Sequence, residues 1–137
     1  PQLPQKAGLL ARGQVMDSAE LGCRGEAVAA RYYLKQGCTL VAHNFRTRMG
    51  EIDLIVKEPD GTLVLCEVKT RSEDPLASPA CAVTPAKQKK LIRAAKAYLQ
   101  QTNQSDEPIR FDVAEITPLD SGRWMVHIIK GAFDTNG

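Results

Sequence analysis

Apolar residues recur along this chain with two different periods, and the changes of period mark its elements. From Asp17-Ser18 to Gln36 they return every three to four residues, which predicts a helix that stops at Gly37. Within it Cys23, Ala27, Ala30 and Leu34 share one stripe. Glu26 lies on the margin of that stripe near Tyr33, and Arg31 and Lys35 lie off its other side. Residues 39–46, 51–57 and 62–70 are short apolar runs separated by Thr47-Arg48-Met49-Gly50 and Glu58-Pro59-Asp60-Gly61. Connections this short predict a meander of antiparallel strands. Thr84-Pro85 supplies an N-cap with proline at the first helical position, so a second helix runs to about Gln101. Residues 109–117 and 124–130 read as two last strands joined by a turn at Asp120-Ser121-Gly122. The order is α-β-β-β-α-β-β, an α/β fold.

The alternation along the strands places the charges. In 51–57, Glu51, Asp53 and Ile55 share one face, and Ile52, Leu54 and Val56 the other. In 62–70, Leu63, Leu65, Glu67 and Lys69 share a face, opposite Val64, Cys66 and Val68. Large apolar residues on both faces of the third strand predict a central position with cover on two sides. Two registers then compete. If Lys57 pairs with Thr62, Asp53 falls opposite Cys66 and faces away from Glu67. If Lys57 pairs with Leu63, Asp53 falls opposite Glu67 on the same face. The second register needs a five-residue connection or a bulge at Gly61.

Charges at such positions are costly to bury without a partner, and a divalent metal with a phosphate is one such partner. Mg²⁺ or Mn²⁺ takes hard oxygen ligands, usually one or two carboxylates with water and phosphate supplying the rest. Asp53 and Glu67 are candidate ligands, with the carbonyl of Val68 as a third and Glu26 for a second ion or a metal-bound water. Lys69 is placed to hold a water or to stabilise transition-state charge. A cross-strand ion pair on a solvated sheet face is the plain alternative, and for Glu26 the alternative is an acid favoured by the helix dipole.

Composition narrows the picture. The 137 residues are 43% hydrophobic, enough for one domain with its own core. That domain spans 17–131, between a flexible segment at 1–16 and a tail at 132–137. The formal charge of +2 does not by itself imply nucleic acid. The distribution is more telling: residues 85–101 carry five cations, and no acid occurs between Ser78 and Asn103. Aromatic residues at 5% argue against a single-strand stacking platform. Cys23, Cys38, Cys66 and Cys81 show no zinc-ligand spacing and read as buried, reduced thiols of a cytoplasmic protein. No stretch reaches membrane-span length. His43 and His127 sit in strands and read as structural, and no Ser-His-Asp or Cys-His arrangement stands out.

Taken together, these residues resemble the PD-(D/E)xK nuclease superfamily and, more narrowly, the YraN-like family of uncharacterised bacterial proteins. The segments that carry the likeness are Gly25-Glu26 with Ala29-Ala30-Arg31-Tyr32, Asn44-Phe45-Arg46, Gly50-Glu51-Ile52-Asp53-Leu54-Ile55, Glu67-Val68-Lys69-Thr70-Arg71, Ala82-Val83 with Lys87-Gln88-Lys89-Lys90-Leu91, and Arg110-Phe111-Asp112-Val113. The resemblance implies a restriction-endonuclease-like core, a mixed sheet flanked by helices. It also implies a metal-dependent nuclease-like site at Glu26, Asp53, Glu67 and Lys69. Two departures stand out: Ile52 replaces the proline usual before the metal-binding Asp, and the loop 72–81 lacks the family's Phe-Gly.

On the second helix Gln88, Leu91, Ile92, Ala95, Tyr98 and Leu99 occupy one arc. Lys89, Lys90 and Arg93 lie opposite, flanked by Lys87 and Lys96. A one-sided basic face suits phosphate contact. Arg46, Arg48 and Arg71 flank the carboxylates and suit bidentate phosphate clamps. Gln88 either points into the site, as a glutamine does in several nucleases of this pattern, or bonds backbone at the core edge. The expected activity is Mg²⁺- or Mn²⁺-dependent endonucleolytic cleavage of DNA rather than RNA, with branched or repair and recombination intermediates as candidate substrates. A non-catalytic nucleic-acid-binding module is the alternative. A homodimer is compatible with action on both strands, and no membrane partner is expected.

Overall fold

A parallel strand pair cannot be closed by a tight turn, so the chain must cross over between its third and fourth strands, and it uses a helix to do so. The computed structural model describes residues 18–71 and 83–135. Helix α1 (Ser18–Lys35) leads into β1 (Thr39–Arg46), β2 (Glu51–Lys57) and β3 (Leu63–Thr70). Helix α2 (Pro85–Gln101) follows, then β4 (Ile109–Pro118) and β5 (Trp124–Phe133). The predicted order and the mixed sheet are both present. The strands lie in the order β1-β2-β3-β4-β5, with β3 and β4 parallel and the other neighbours antiparallel. The predicted segment 1–16, the loop 72–81 with Cys81, and Ala82 fall outside the described residues.

Central β3 is buried on both faces, as its sequence predicts. Leu63 and Leu65 pack with Leu91, Ala95, Tyr98 and Leu99 of α2, while Val64 and Cys66 pack with Ala29 and Tyr33 of α1. Thr84 caps α2 by accepting the Lys87 N–H at 3.2 Å. Of the predicted arc of α2, Leu91, Ala95, Tyr98 and Leu99 are buried, with Ala94 added, while Gln88 and Ile92 are partly buried at its edge.

In α1 the predicted stripe is not the packed one. Cys23 and Ala27 are exposed and Leu34 is 50% exposed, whereas Gly25, Ala29 and Tyr33 are buried. The packed face is turned about a third of a turn from the small-residue stripe. Close approach sets it: a Cβ on Gly25 would collide with Thr70 Cγ2 of β3, so only glycine lets the helix lie this near the sheet. Cys38 and Cys66 are buried free thiols as expected, and Cys23 is not buried.

Between β2 and β3 the register is Lys57 with Leu63, followed by Val56 with Val64, Ile55 with Leu65 and Leu54 with Cys66. It is the register that brings Asp53 toward Glu67. The five residues 58–62 make the turn, with Gly61 at φ +98° and the Glu58 N–H bonded to the Thr62 carbonyl. Strict alternation nonetheless fails in β2. Ile52 packs with Ile55 on the α2 side, while Leu54 and Val56 pack on the α1 side. Neighbouring β1 breaks step at the same level: Ala42 and Phe45 both face the α2 side, and Asn44 between them sits at φ +50°. The two strands therefore kink together at Asn44 and Asp53, just beyond the last paired residues of β2 and β3.

Strand β5 runs to Phe133, past the predicted end at 130, because Phe133 stacks on Phe111 with ring centroids 4.7 Å apart. On the α1 face of β4, Asp112 is 1% exposed and accepts four hydrogen bonds. They come from Arg110 Nε (2.8 Å), Arg110 Nη2 (3.1 Å), Tyr33 Oη (2.7 Å) and the Gly131 N–H (3.1 Å). Arg110 also pairs with Glu58 at 3.0 Å. Burial, together with Cys66 and Asp112, pushes the Tyr33 hydroxyl far up, so it stays a donor.

Candidate carboxylate site and basic groove

Where β2 and β3 part, side chain replaces ladder. Asp53 Oδ2 accepts the Val68 N–H at 2.8 Å, so the carboxylate is anchored to β3 by the backbone group that the kink leaves unpaired. Glu67, 6% exposed, projects on the α2 face beyond Leu63 and Leu65. The two carboxyls interact directly. Burial raises the pKa of each. For Asp53 the Val68 N–H opposes the rise and Glu51 adds to it; for Glu67 the charge of Asp53 adds to it, against Lys87 and Lys69. A buried acid pair of this kind favours holding a proton between them or admitting a cation.

Glu26 reaches the same region from α1. Burial raises its pKa first and Asp53 second, while His43 and a hydrogen bond with Asn44 lower it. Gly25, by letting α1 close on Thr70, sets the height at which Glu26 meets the kink. Asn44 is thus a site residue that the alternation pattern missed. The available signal was its type: asparagine is poor in a strand interior and tolerates positive φ. His43 and His127 are exposed rather than core residues. His43 Nδ1 lies 3.3 Å from the Asn44 amide, and His127 Nδ1 lies 3.0 Å from Glu115 Oε1.

Lys69 is partly buried and shares its face with Glu67; across the parallel pair it stands in register with Glu115. Among the described residues, Glu115 Oε2 is a buried side-chain oxygen without a hydrogen-bond partner. Gln88 takes the backbone option: its Nε2 donates to the Val83 carbonyl at 2.8 Å. The Val68 backbone enters through its N–H, which bonds Asp53.

Lys87 Nζ stands 3.4 Å from Glu67 Oε2. Lys87 also lines an open groove of ≈ 350 Å³ together with Arg46, Arg48 and Lys90. The groove depends on the glycine that begins Gly50-Glu51-Ile52-Asp53. A Cβ there would meet the Lys90 carbonyl at 2.8 Å, so glycine lets the β1–β2 hairpin touch the backbone of α2. Thr47 holds that turn by accepting the Met49 and Gly50 N–H groups. Arg46 pairs with Glu51 at 3.2 Å on the rim. Lys89, Arg93 and Lys96 are exposed along α2, and Arg71 is partly exposed just after β3.

Among the described residues no three His, Cys, Asp or Glu side chains converge as a ready cation cage. Buried Glu67 and partly buried Asp53, both hard oxygen donors, do meet, and that donor set fits Mg²⁺ or Mn²⁺ when water and phosphate complete the shell. No helix of the described residues is long and apolar enough to cross a membrane.

The model of the uncharacterised protein family UPF0102 matches residues 25–116, two thirds of the chain. The chain belongs to this family. It is the YraN-like family that the motifs resemble. A UPF0102 protein of Desulfosudis oleivorans is 41% identical over 117 residues, covering 85% of this chain and 92% of that protein. Another, from Syntrophomonas wolfei, is 44% identical over 110 residues, covering 80% and 95%. Among solved structures, Pyrococcus furiosus SfsA in complex with Ca²⁺ is 14% identical with a TM-score of 0.40. That likeness covers 82% of this chain and 64% of the other, and it is too distant to carry an argument. The UPF0102 match runs from Gly25 to Ile116, so it encloses every candidate site residue, from Glu26 through Asp53, Glu67 and Lys69 to Lys96.

Proposed function

We propose that this UPF0102 chain is a metal-dependent endonuclease that hydrolyses DNA phosphodiester bonds. The observation that carries the reading is the meeting of Asp53 and Glu67. Register and kink bring buried Glu67 beside partly buried Asp53, next to a groove lined by cations. Asp53 and Glu67 would hold Mg²⁺ or Mn²⁺, with Glu26 beside them. Such an ion, when bound, polarises a phosphoryl oxygen and lowers the pKa of a coordinated water. The chain's own groups supply the rest. Arg46, Arg48, Lys87 and Lys90 seat backbone phosphates, and Lys69 orients the attacking water or stabilises charge on the phosphorane-like transition state. Gln88, bonded to Val83, holds the start of α2. A homodimer would offer one such site to each strand.

Metal-dependent cleavage of linear, single-stranded and branched DNA tests the reading, branched and recombination intermediates included. Cleavage by the wild type and its loss in Asp53→Ala is the expected result. A wild type that cuts nothing, or an Asp53→Ala variant that cuts equally well, sinks the proposal.

One observation favours a second reading, a nucleic-acid-binding module without catalysis: Lys87 already pairs with Glu67 at 3.4 Å. That reading expects salt-dependent DNA binding that survives Glu67→Ala and weakens when Lys89, Lys90 and Arg93 are neutralised.

A further inference from the structure

Lys87 stands at the join between the carboxylate pair and the basic groove. Its ammonium lies 3.4 Å from Glu67 Oε2, and the same side chain lines the groove beside Arg46, Arg48 and Lys90. The two ends of this ion pair differ. The Glu67 side chain is 7% exposed and held in the central strand, while the Lys87 side chain is 40% exposed near the start of α2. The acid is therefore fixed, and the amine, on a flexible four-carbon stem with no rigid fork, can turn toward the groove. Arg46 of the same groove pairs with Glu51 at 3.2 Å, whereas Lys87 pairs with Glu67 of the site.

Glu67 cannot serve an ammonium and a divalent cation at full strength together, because the two positive charges repel at short range. We infer that Lys87 is a latch coupling the two halves of the site: a backbone phosphate entering the groove draws the ammonium off Glu67, and the freed carboxylate then accepts a divalent cation. The inference rests on the reading of Asp53 and Glu67 as cation ligands and adds an order to it. Without nucleic acid the chain holds the cation weakly, and with it more tightly. By linkage, the cation tightens nucleic-acid binding by the same factor. Cleavage is thereby confined to occasions when DNA lies in the groove, since the charge that excludes the cation is removed by the substrate itself.

Mn²⁺ binding, read from the electron paramagnetic resonance of the free ion, tests the latch with and without a short DNA duplex. Three proteins are compared: wild type, Lys87→Met, which keeps the stem and removes the charge, and Lys35→Met, which removes an exposed cation at the end of α1, outside the groove and the carboxylate pair. Thermal melts confirm that all three are folded. In the wild type the duplex is expected to tighten Mn²⁺ about fivefold or more. Lys87→Met is expected to bind Mn²⁺ alone about fivefold more tightly than wild type and to gain much less from the duplex. Lys35→Met is expected to bind Mn²⁺ alone as wild type does and to keep the gain. If Lys87→Met binds Mn²⁺ no more tightly than wild type, or gains as much from DNA, the latch is wrong while the cation site stands. If the wild type binds no Mn²⁺ even with the duplex, the cation-ligand reading itself falls, and the latch with it.

Discussion

One sheet holds acids in two places and treats them in opposite ways. On the α1 face Asp112 accepts four hydrogen bonds, two of them from an arginine that also pairs with Glu58. Where β2 and β3 part, Asp53 accepts the Val68 N–H and Glu67 meets Lys87 at its margin, and burial raises the pKa of both acids. Burial alone therefore does not mark a functional residue. The mark here is two acids set side by side, because a fold that stood only to gain stability would have separated them or given each its own cation.

The largest expected effect lies on the saturated side. Asp112→Ala leaves Arg110 and Tyr33 without their shared acceptor and should cost about 3–5 kcal/mol, measured by urea unfolding. An Asp112→Ala protein as stable as wild type would break the comparison. Next in size, Mn²⁺ or Mg²⁺ at a hundredfold excess over its dissociation constant should stabilise the wild type by about 3 kcal/mol. The shift, read as a rise in melting temperature, should vanish in Asp53→Asn.

The third effect has the opposite sign to the first. A carboxyl with a raised folded pKa keeps a proton that the unfolded chain has released. Stability therefore falls as pH rises from the ordinary carboxylate range through the raised one. Asp53→Asn, which keeps an oxygen for the Val68 N–H, should stabilise the metal-free protein by about 1 kcal/mol near neutral pH. That gain should disappear once the pH falls below the ordinary carboxylate range. Melting curves across pH check it, and a pH-independent gain would place its cause elsewhere. The smallest effect belongs to the exposed face of α2. Neutralising Lys89, Lys90 and Arg93 should leave stability within about 0.5 kcal/mol per residue. The slope of DNA affinity against salt should fall by about one for each phosphate that the helix no longer neutralises.

Much of this was legible in the residue pattern because strand alternation and turn chemistry are local. Gly61 allowed the five-residue connection, and with it the register in which Asp53 approaches Glu67. The paired kink was less legible. Alternation assumes an unbroken pleat, and Asn44 and Asp53 break it together, so Ile52 turned to the face opposite the expected one. The packed side of α1 was missed for a related reason. Periodicity weighs hydrophobicity, whereas this helix is seated by the absence of a side chain at Gly25. Gly50 carried the same kind of information, since its meaning lies in the Lys90 backbone it touches. The partner of Lys87 depended on how α2 lies over β3, which no local pattern encodes.

The two acid groups also differ in how much chain each must gather. The Asp53–Val68 bond spans 15 residues across a single hairpin, whereas Tyr33 to Asp112 spans 79 and waits for the crossover and β4. Closing the longer loop costs more chain entropy, and contacts of long sequence separation are made slowly. During synthesis the hairpin can form before the strand that will cover its far edge has left the ribosome. A nascent chain would then carry Asp53 and Glu67 in register while still lacking the buried clasp around Asp112.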